Sequence, residues 1–151
     1  MTKGGRANKR GRVLEMAVNN LLSEEYENAP QDRFFALRSL NQPIFAEQCY
    51  AGRDIYGKNR RVDFILYHPT RWPDCLVIQC KWQASSGSVE EKYPFEVLSI
   101  QKSALKTIIV LDGEGYSDGA KQWLMNEAGK NKLLYVLSLA EITKFQSYGK
   151  I

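Results

Sequence analysis

From about Gly11 to Tyr26 apolar residues recur at Val13, Leu14, Ala17, Val18, Leu21 and Leu22, the spacing that gives a helix one apolar face. Glu15 sits at the border of that stripe. The stretch from Ala29 to Pro43 is mixed, with a short helical turn expected around Arg33 to Leu40. Ile44 to Tyr50 is rich in β-formers, and "AGRDIYGKNR" follows as a glycine-containing connection. Val62 to Tyr67 and Leu76 to Trp82 read as two further strands, separated by the turn residues Pro69 and Pro73. A helix is expected over about Val89 to Lys102, with Pro94 near its first turn and Ser88 and Glu91 forming a capping box. Thr107 to Leu111 is a continuous apolar run, the pattern of a strand covered on both faces. Ala120 to Glu127 predicts a helix ending near Gly129, Leu133 to Leu137 a strand, and Leu139 to Phe145 a last helix capped by Ser138. The order α-β-β-β-α-β-α-β-α describes an α/β domain with a mixed β-sheet flanked by helices.

Two of these strands carry polar breaks. In "CLVIQCKW" the side chains of Gln79 and Lys81 share one face, because strand residues two apart point the same way. Asp63 interrupts "VDFILY" between apolar neighbours. A polar or charged group on a buried strand needs a partner or a purpose. If the strands pair through the turn at Pro69 to Asp74, Asp63 lies across from Gln79 and Lys81 at one sheet edge. A carboxylate, an amide oxygen and an ammonium in that arrangement suit phosphodiester hydrolysis, where a hard cation and a positive side chain neutralise the phosphate. The plain alternative is a structural salt bridge and hydrogen-bond network.

"RVDFILYHPTRWPDCLVIQCKW" resembles the aspartate and (D/E)xK motifs of the PD-(D/E)xK nuclease superfamily, with Asp63 followed by Gln79-x-Lys81. The resemblance implies a restriction-endonuclease-like fold with an α-β-β-β-α-β core, and a helix glutamate in the metal site, the position of Glu15 in "GRVLEMAV". Gln79 stands where that pattern usually has Asp or Glu, and "VIQCKW" is similar to the QxK form of Mrr-like and small homing endonucleases. The resemblance further implies a metal-dependent DNA endonuclease of homing, restriction or junction-resolving type. Asp63, Glu15 and Gln79 would serve Mg²⁺, with Mn²⁺ as a substitute, and Lys81 would stand beside the attacking water. Double-stranded DNA is the expected substrate, and cutting both strands calls for a homodimer or higher homo-oligomer. A non-catalytic DNA-binding module of the same fold and an RNA-directed nuclease are the competing readings.

A length of 151 residues suits one domain, 44% hydrophobic and 25% charged residues suit a globular one, and no apolar run approaches the roughly 20 residues of a membrane span. No signal peptide is visible, so an intracellular, cytoplasmic location is expected, associated with the nucleoid in a bacterium. Cys49, Cys75 and Cys80 form no C-x-x-C pair and are expected to be reduced and packed. With a single histidine, His68, two-histidine nuclease chemistry is excluded. The net charge is only +4, but its distribution is uneven. Lys3, Arg6, Lys9, Arg10 and Arg12 crowd residues 1–12, expected as a basic flexible arm ahead of a nuclease domain over 13–151. A second cluster, Lys58, Arg60 and Arg61, precedes the Asp63 strand. Both clusters are candidate DNA contacts.

Overall fold

The computed structural model describes the backbone of residues 3–83 and 88–151 and the side chains of 11–83 and 90–151. Helix α1 (Lys3–Leu22) leads into a two-residue strand β1 (Glu27–Asn28), helix α2 (Phe34–Leu37) and a 3-10 turn. Three long strands follow, β2 (Ile44–Arg53), β3 (Asn59–His68) and β4 (Trp72–Trp82). Then come a 3-10 turn (Ser88–Lys92), α3 (Tyr93–Lys102), β5 (Lys106–Asp112), α4 (Asp118–Glu127), β6 (Leu133–Leu137) and α5 (Leu139–Ser147). The strands form one sheet in chain order β1 to β6. β2, β3 and β4 run antiparallel, whereas β4, β5 and β6 are parallel, so the sheet is mixed as expected. The parallel half follows from the crossover helices α3 and α4, which return the chain to the same sheet end.

Burial explains the layering. Leu14, Val18, Leu21 and Leu22 of α1 and Ile142 of α5 pack on Phe45, Phe64, Leu66, Leu76, Ile78, Ile108 and Val110. The opposite face is covered in two parts. Phe34 of α2 lies among residues of β2, β3 and β4, while Val97 and Ile100 of α3 and Leu124 of α4 cover Ile109, Leu111 and Val136. Strands β2 to β6 therefore contribute residues to hydrophobic layers on both faces, which is why the apolar runs of β4 and β5 are nearly continuous.

Local signals at the helix ends have mixed outcomes. Ser138 and Glu141 form a full capping box for α5, and Ser117 caps α4 by accepting from the Ala120 N–H. The box expected from Ser88 and Glu91 does not open α3. That stretch winds as a 3-10 turn, α3 starts one turn later at Tyr93 with Pro94 in its first turn, and its N-cap Lys92 makes no side-chain cap. Helix α1 begins at Lys3, eight residues before the expected Gly11, and takes in the basic segment; the side chains of Lys3, Arg6, Lys9 and Arg10 lie outside the described residues. Among the described residues no helix is long and apolar enough to cross a membrane. All three cysteines are free, with Cys49 and Cys75 buried.

Candidate functional site

The site is built where β3 and β4 part. Their pairing runs from His68↔Trp72, across a register shift, to Phe64↔Ile78, and beyond it two backbone groups are satisfied by side chains. The Asp63 N–H donates to Gln79 Oε1 at 2.9 Å, and the Cys80 N–H donates to Asp63 Oδ2 at 2.8 Å. Each strand thus caps the other's unpaired amide, an exchange that a buried backbone donor requires. On the other side, Gln48 of β2 adopts a left-handed conformation (φ 51°) and its Nε2 reaches Asp63 Oδ1 at 3.4 Å. Asp63 is thereby held from both neighbouring strands.

Alternation along β4 separates two kinds of residue. Leu76, Ile78, Cys80 and Trp82 pack toward α1, and the intervening Gln79 and Lys81 line a cavity of about 380 Å³ on the other face. Asp63, Arg60 and Arg61 of β3 and Lys92, Phe95, Glu96 and Ser99 of the α3 region complete much of that lining. Lys81 Nζ meets Glu96 Oε2 at 2.6 Å. Burial pulls the Lys81 pKa down, yet the Glu96 and Asp63 carboxylates outweigh it and the net shift is upward, keeping the ammonium charged. Burial likewise pushes the Asp63 carboxyl above its ordinary range. The Cys80 N–H, Lys81 and Gln48 oppose that shift and Glu96 adds to it.

Glu15 reaches the same strand ends from α1 without lining the cavity. Its carboxyl is raised by burial first, then by the charges of Asp63 and Glu47, and is lowered by Lys81 and Arg12. Burial pushes the Cys80 thiol up, with Asp63 and Glu15 adding to the effect, and its side chain packs toward α1, on the face opposite Gln79 and Lys81. Among the described residues no three His, Cys, Asp or Glu side chains are gathered closely enough to hold a metal by themselves. Asp63 and Glu15, the first raising the pKa of the second, still fit a hard divalent cation, which keeps several waters and needs only one or two carboxylates.

Over residues 6–148 the chain matches the PD-(D/E)XK nuclease superfamily domain. It belongs to that superfamily. No curated protein and no solved structure matches the chain significantly. The fold of this PD-(D/E)XK nuclease is the restriction-endonuclease-like one expected from its strand motifs, and nucleases of the superfamily generally use divalent metals.

Within this nuclease Asp63, Gln79, Lys81, Arg60 and Arg61 share one cavity, and Glu15 is tied to them through its charge. Arg12, Lys58 and Arg61 are exposed, whereas Arg60 is buried at 7% relative exposure. His68 lies away from the site, within 3.9 Å of Glu25 and bonded to Arg71, at the far end of β3. Three contributors escaped the sequence reading: Glu96, which holds Lys81, Gln48, which reaches Asp63, and Glu47, which accepts from Asn19 Nδ2 and raises Glu15. Only Glu96 left a trace in the chain, as a carboxylate in the first turn of a helix that follows the lysine strand.

Proposed function

We propose that this nuclease is a Mg²⁺-dependent DNA endonuclease that hydrolyses phosphodiester bonds, working as a homodimer or higher homo-oligomer in homing, restriction or junction resolution. The observation that carries the reading is the convergence of Asp63, Gln79 and Lys81 on one cavity at the parted ends of β3 and β4. Asp63 and Glu15 hold the metal, with Mn²⁺ able to substitute. Gln79 orients Asp63 through its backbone N–H and has a second lone pair on Oε1 for the metal shell. When bound, the cation supplies Lewis acidity and lowers the pKa of the attacking water.

Lys81 supports the nucleophile. One of its three N–H donors is engaged by Glu96, leaving two for the attacking water and a phosphate oxygen. A fixed ammonium there offsets the charge that builds on the phosphate as the bond breaks. Exposed Arg12, Lys58 and Arg61, with the basic segment of Lys3, Arg6, Lys9 and Arg10, follow the neighbouring phosphates and make binding salt-dependent. Asp63 and Glu96 within the cavity balance the cations, so the substrate backbone meets a site of alternating sign rather than a uniform basic patch.

Supercoiled plasmid incubated with the protein in Mg²⁺ should become nicked or linear, and chelator or Lys81→Ala should abolish this. Intact plasmid together with DNA binding that is indifferent to Mg²⁺ would favour the non-catalytic module.

A further inference from the structure

Arg60 is a buried cation with an empty hydrogen-bonding fork. Its relative exposure is 7%, yet neither Nη1 nor Nη2 has a hydrogen-bond partner among the described residues. Buried guanidinium groups are ordinarily paired, since an unsatisfied charged donor in a partly desolvated place is costly. Glu96, Asp63 and Asp54 act on it electrostatically, but none makes a hydrogen bond or ion pair with those two nitrogens. The charge is compensated at a distance and the donors are left over.

Arg60 lines the same cavity as Lys81, its two terminal nitrogens turned away from solvent in this conformation. The opening is about 380 Å³, room for a phosphate with its sugar neighbours, since ligand pockets start at about 300 Å³. A planar fork with two free N–H groups matches two oxygens of a tetrahedral oxyanion, which a lysine in that place could not do. Lys92 and Arg61 stand at the rim, exposed to solvent.

We propose that Arg60 is a substrate-contacting residue of the nuclease site, a phosphate clamp whose side chain turns into the Lys81 cavity so that its two unpaired terminal nitrogens grip the non-bridging oxygens of a nucleic-acid phosphate. This sets it apart from the surface cations Arg12, Lys58 and Arg61, which meet the backbone through solvent. The substrate class rests on the nuclease reading above; the oxyanion site does not.

The probe is inorganic phosphate, titrated at constant ionic strength against chloride while the melting temperature is followed, once in chelator and once in Mg²⁺. The wild-type protein should gain stability with phosphate in at least one condition. Arg60→Met should lose that gain, its apparent Kd rising by at least about tenfold as expected for a charged hydrogen bond, while its own melting temperature stays level or rises because an unpaired buried charge is gone. Arg60→Lys, which keeps the charge and not the fork, should fall between and covers the case of a Met variant that does not fold. No phosphate effect on the wild type, or an equal effect on wild type and variants, overturns the clamp. Plasmid cleavage separates the two proposals: intact plasmid with Arg60-dependent phosphate binding sinks only the nuclease reading. Wild-type cutting rates and unchanged phosphate binding in Arg60→Met sink only the clamp.

Discussion

Lys81 Nζ lies 2.6 Å from Glu96 Oε2, joining the end of β4 to the first turn of α3. The pair does more than anchor a helix. Burial alone would lower the lysine pKa, and the Glu96 carboxylate is the largest influence raising it. Because the folded-state pKa is above the unfolded one, the stability this group contributes is complete below the unfolded lysine value and is lost as pH rises through the folded value. Glu96→Gln removes that support and leaves burial opposed mainly by Asp63. The alkaline limb of the cleavage rate against pH should therefore move to lower pH, with kcat down by about tenfold at neutral pH. An unchanged alkaline limb in the variant would separate Glu96 from the chemistry.

The carboxylates shift in the same direction, in a lower pH range and for a different reason. Asp63 and Glu15 are both raised in the folded protein, chiefly by burial, so the folded chain retains protons that the unfolded chain has released. Their contribution to stability declines as pH rises from the unfolded to the folded values. A divalent cation, which requires the ionised forms, should reverse that decline. The rise in melting temperature on adding Mg²⁺ is expected to grow with pH through the carboxylate range. Glu47→Gln takes away one of the charges that raise Glu15, so the same growth should occur at lower pH in that variant. A Mg²⁺ effect that is flat with pH would place the ion elsewhere.

The parts of this site that could be read in the chain are those whose signal is local. Asp63, Gln79 and Lys81 each break an apolar strand, and period-two alternation is enough to put Gln79 and Lys81 on one face. The sheet then needs only the antiparallel return of β4 to bring Asp63 beside them. Glu96 had no comparable signal. It lies among Glu90 and Glu91 in one short stretch, and what selects it is the docking of α3 over β5 and β6, which brings Glu96 to Lys81, with the 3-10 turn of Ser88–Lys92 delaying the helix start. Glu90, read as part of an ordinary helix start, instead accepts hydrogen bonds from the backbone and hydroxyl of Ser117, the N-cap of α4. Gln48 depends on a left-handed backbone within β2, and the two residues of β1 are too short to show a period. Arg60 was legible as a cation next to the Asp63 strand but not as a buried one, since burial of an arginine is decided by the fold around it.

Gly113 governs how β4 ends beside β5. Its φ is 104°, and a Cβ placed there would sit 2.3 Å from the Gln83 carbonyl oxygen, a backbone atom with little freedom to move. That oxygen also accepts the Gly115 N–H at 2.8 Å, while the Gln83 N–H donates to Asp112. Gly113→Ala therefore strains the backbone and pushes against the residue two beyond Lys81. Destabilisation of about 2–3 kcal/mol is expected, measured by chemical denaturation, with a loss of cleavage that exceeds what the unfolded fraction explains. A variant as stable as the wild type would show that this loop can shift without cost.

Gln79 decides between an organising role and a metal role. Its Oε1 accepts the Asp63 N–H at 2.9 Å and the side chain is buried at 6% relative exposure. Gln79→Leu leaves that N–H without its acceptor, which should cost about 1–3 kcal/mol and let Asp63 lose its alignment. Gln79→Glu keeps an acceptor of the same shape and adds a negative charge beside Asp63. Without metal the added charge should raise the Asp63 pKa further and lower stability near neutral pH, because two neighbouring carboxylates resist ionising together. With metal the extra charged oxygen should tighten Mg²⁺ binding by roughly tenfold, as affinity for such ions follows the number of charged ligands. The reading to take is the Mg²⁺ concentration that half-restores the melting temperature. Tighter binding in Gln79→Glu places position 79 within reach of the ion, while equal binding in Gln79→Glu and wild type, alongside a destabilised Gln79→Leu, confines Gln79 to holding the two strand ends together.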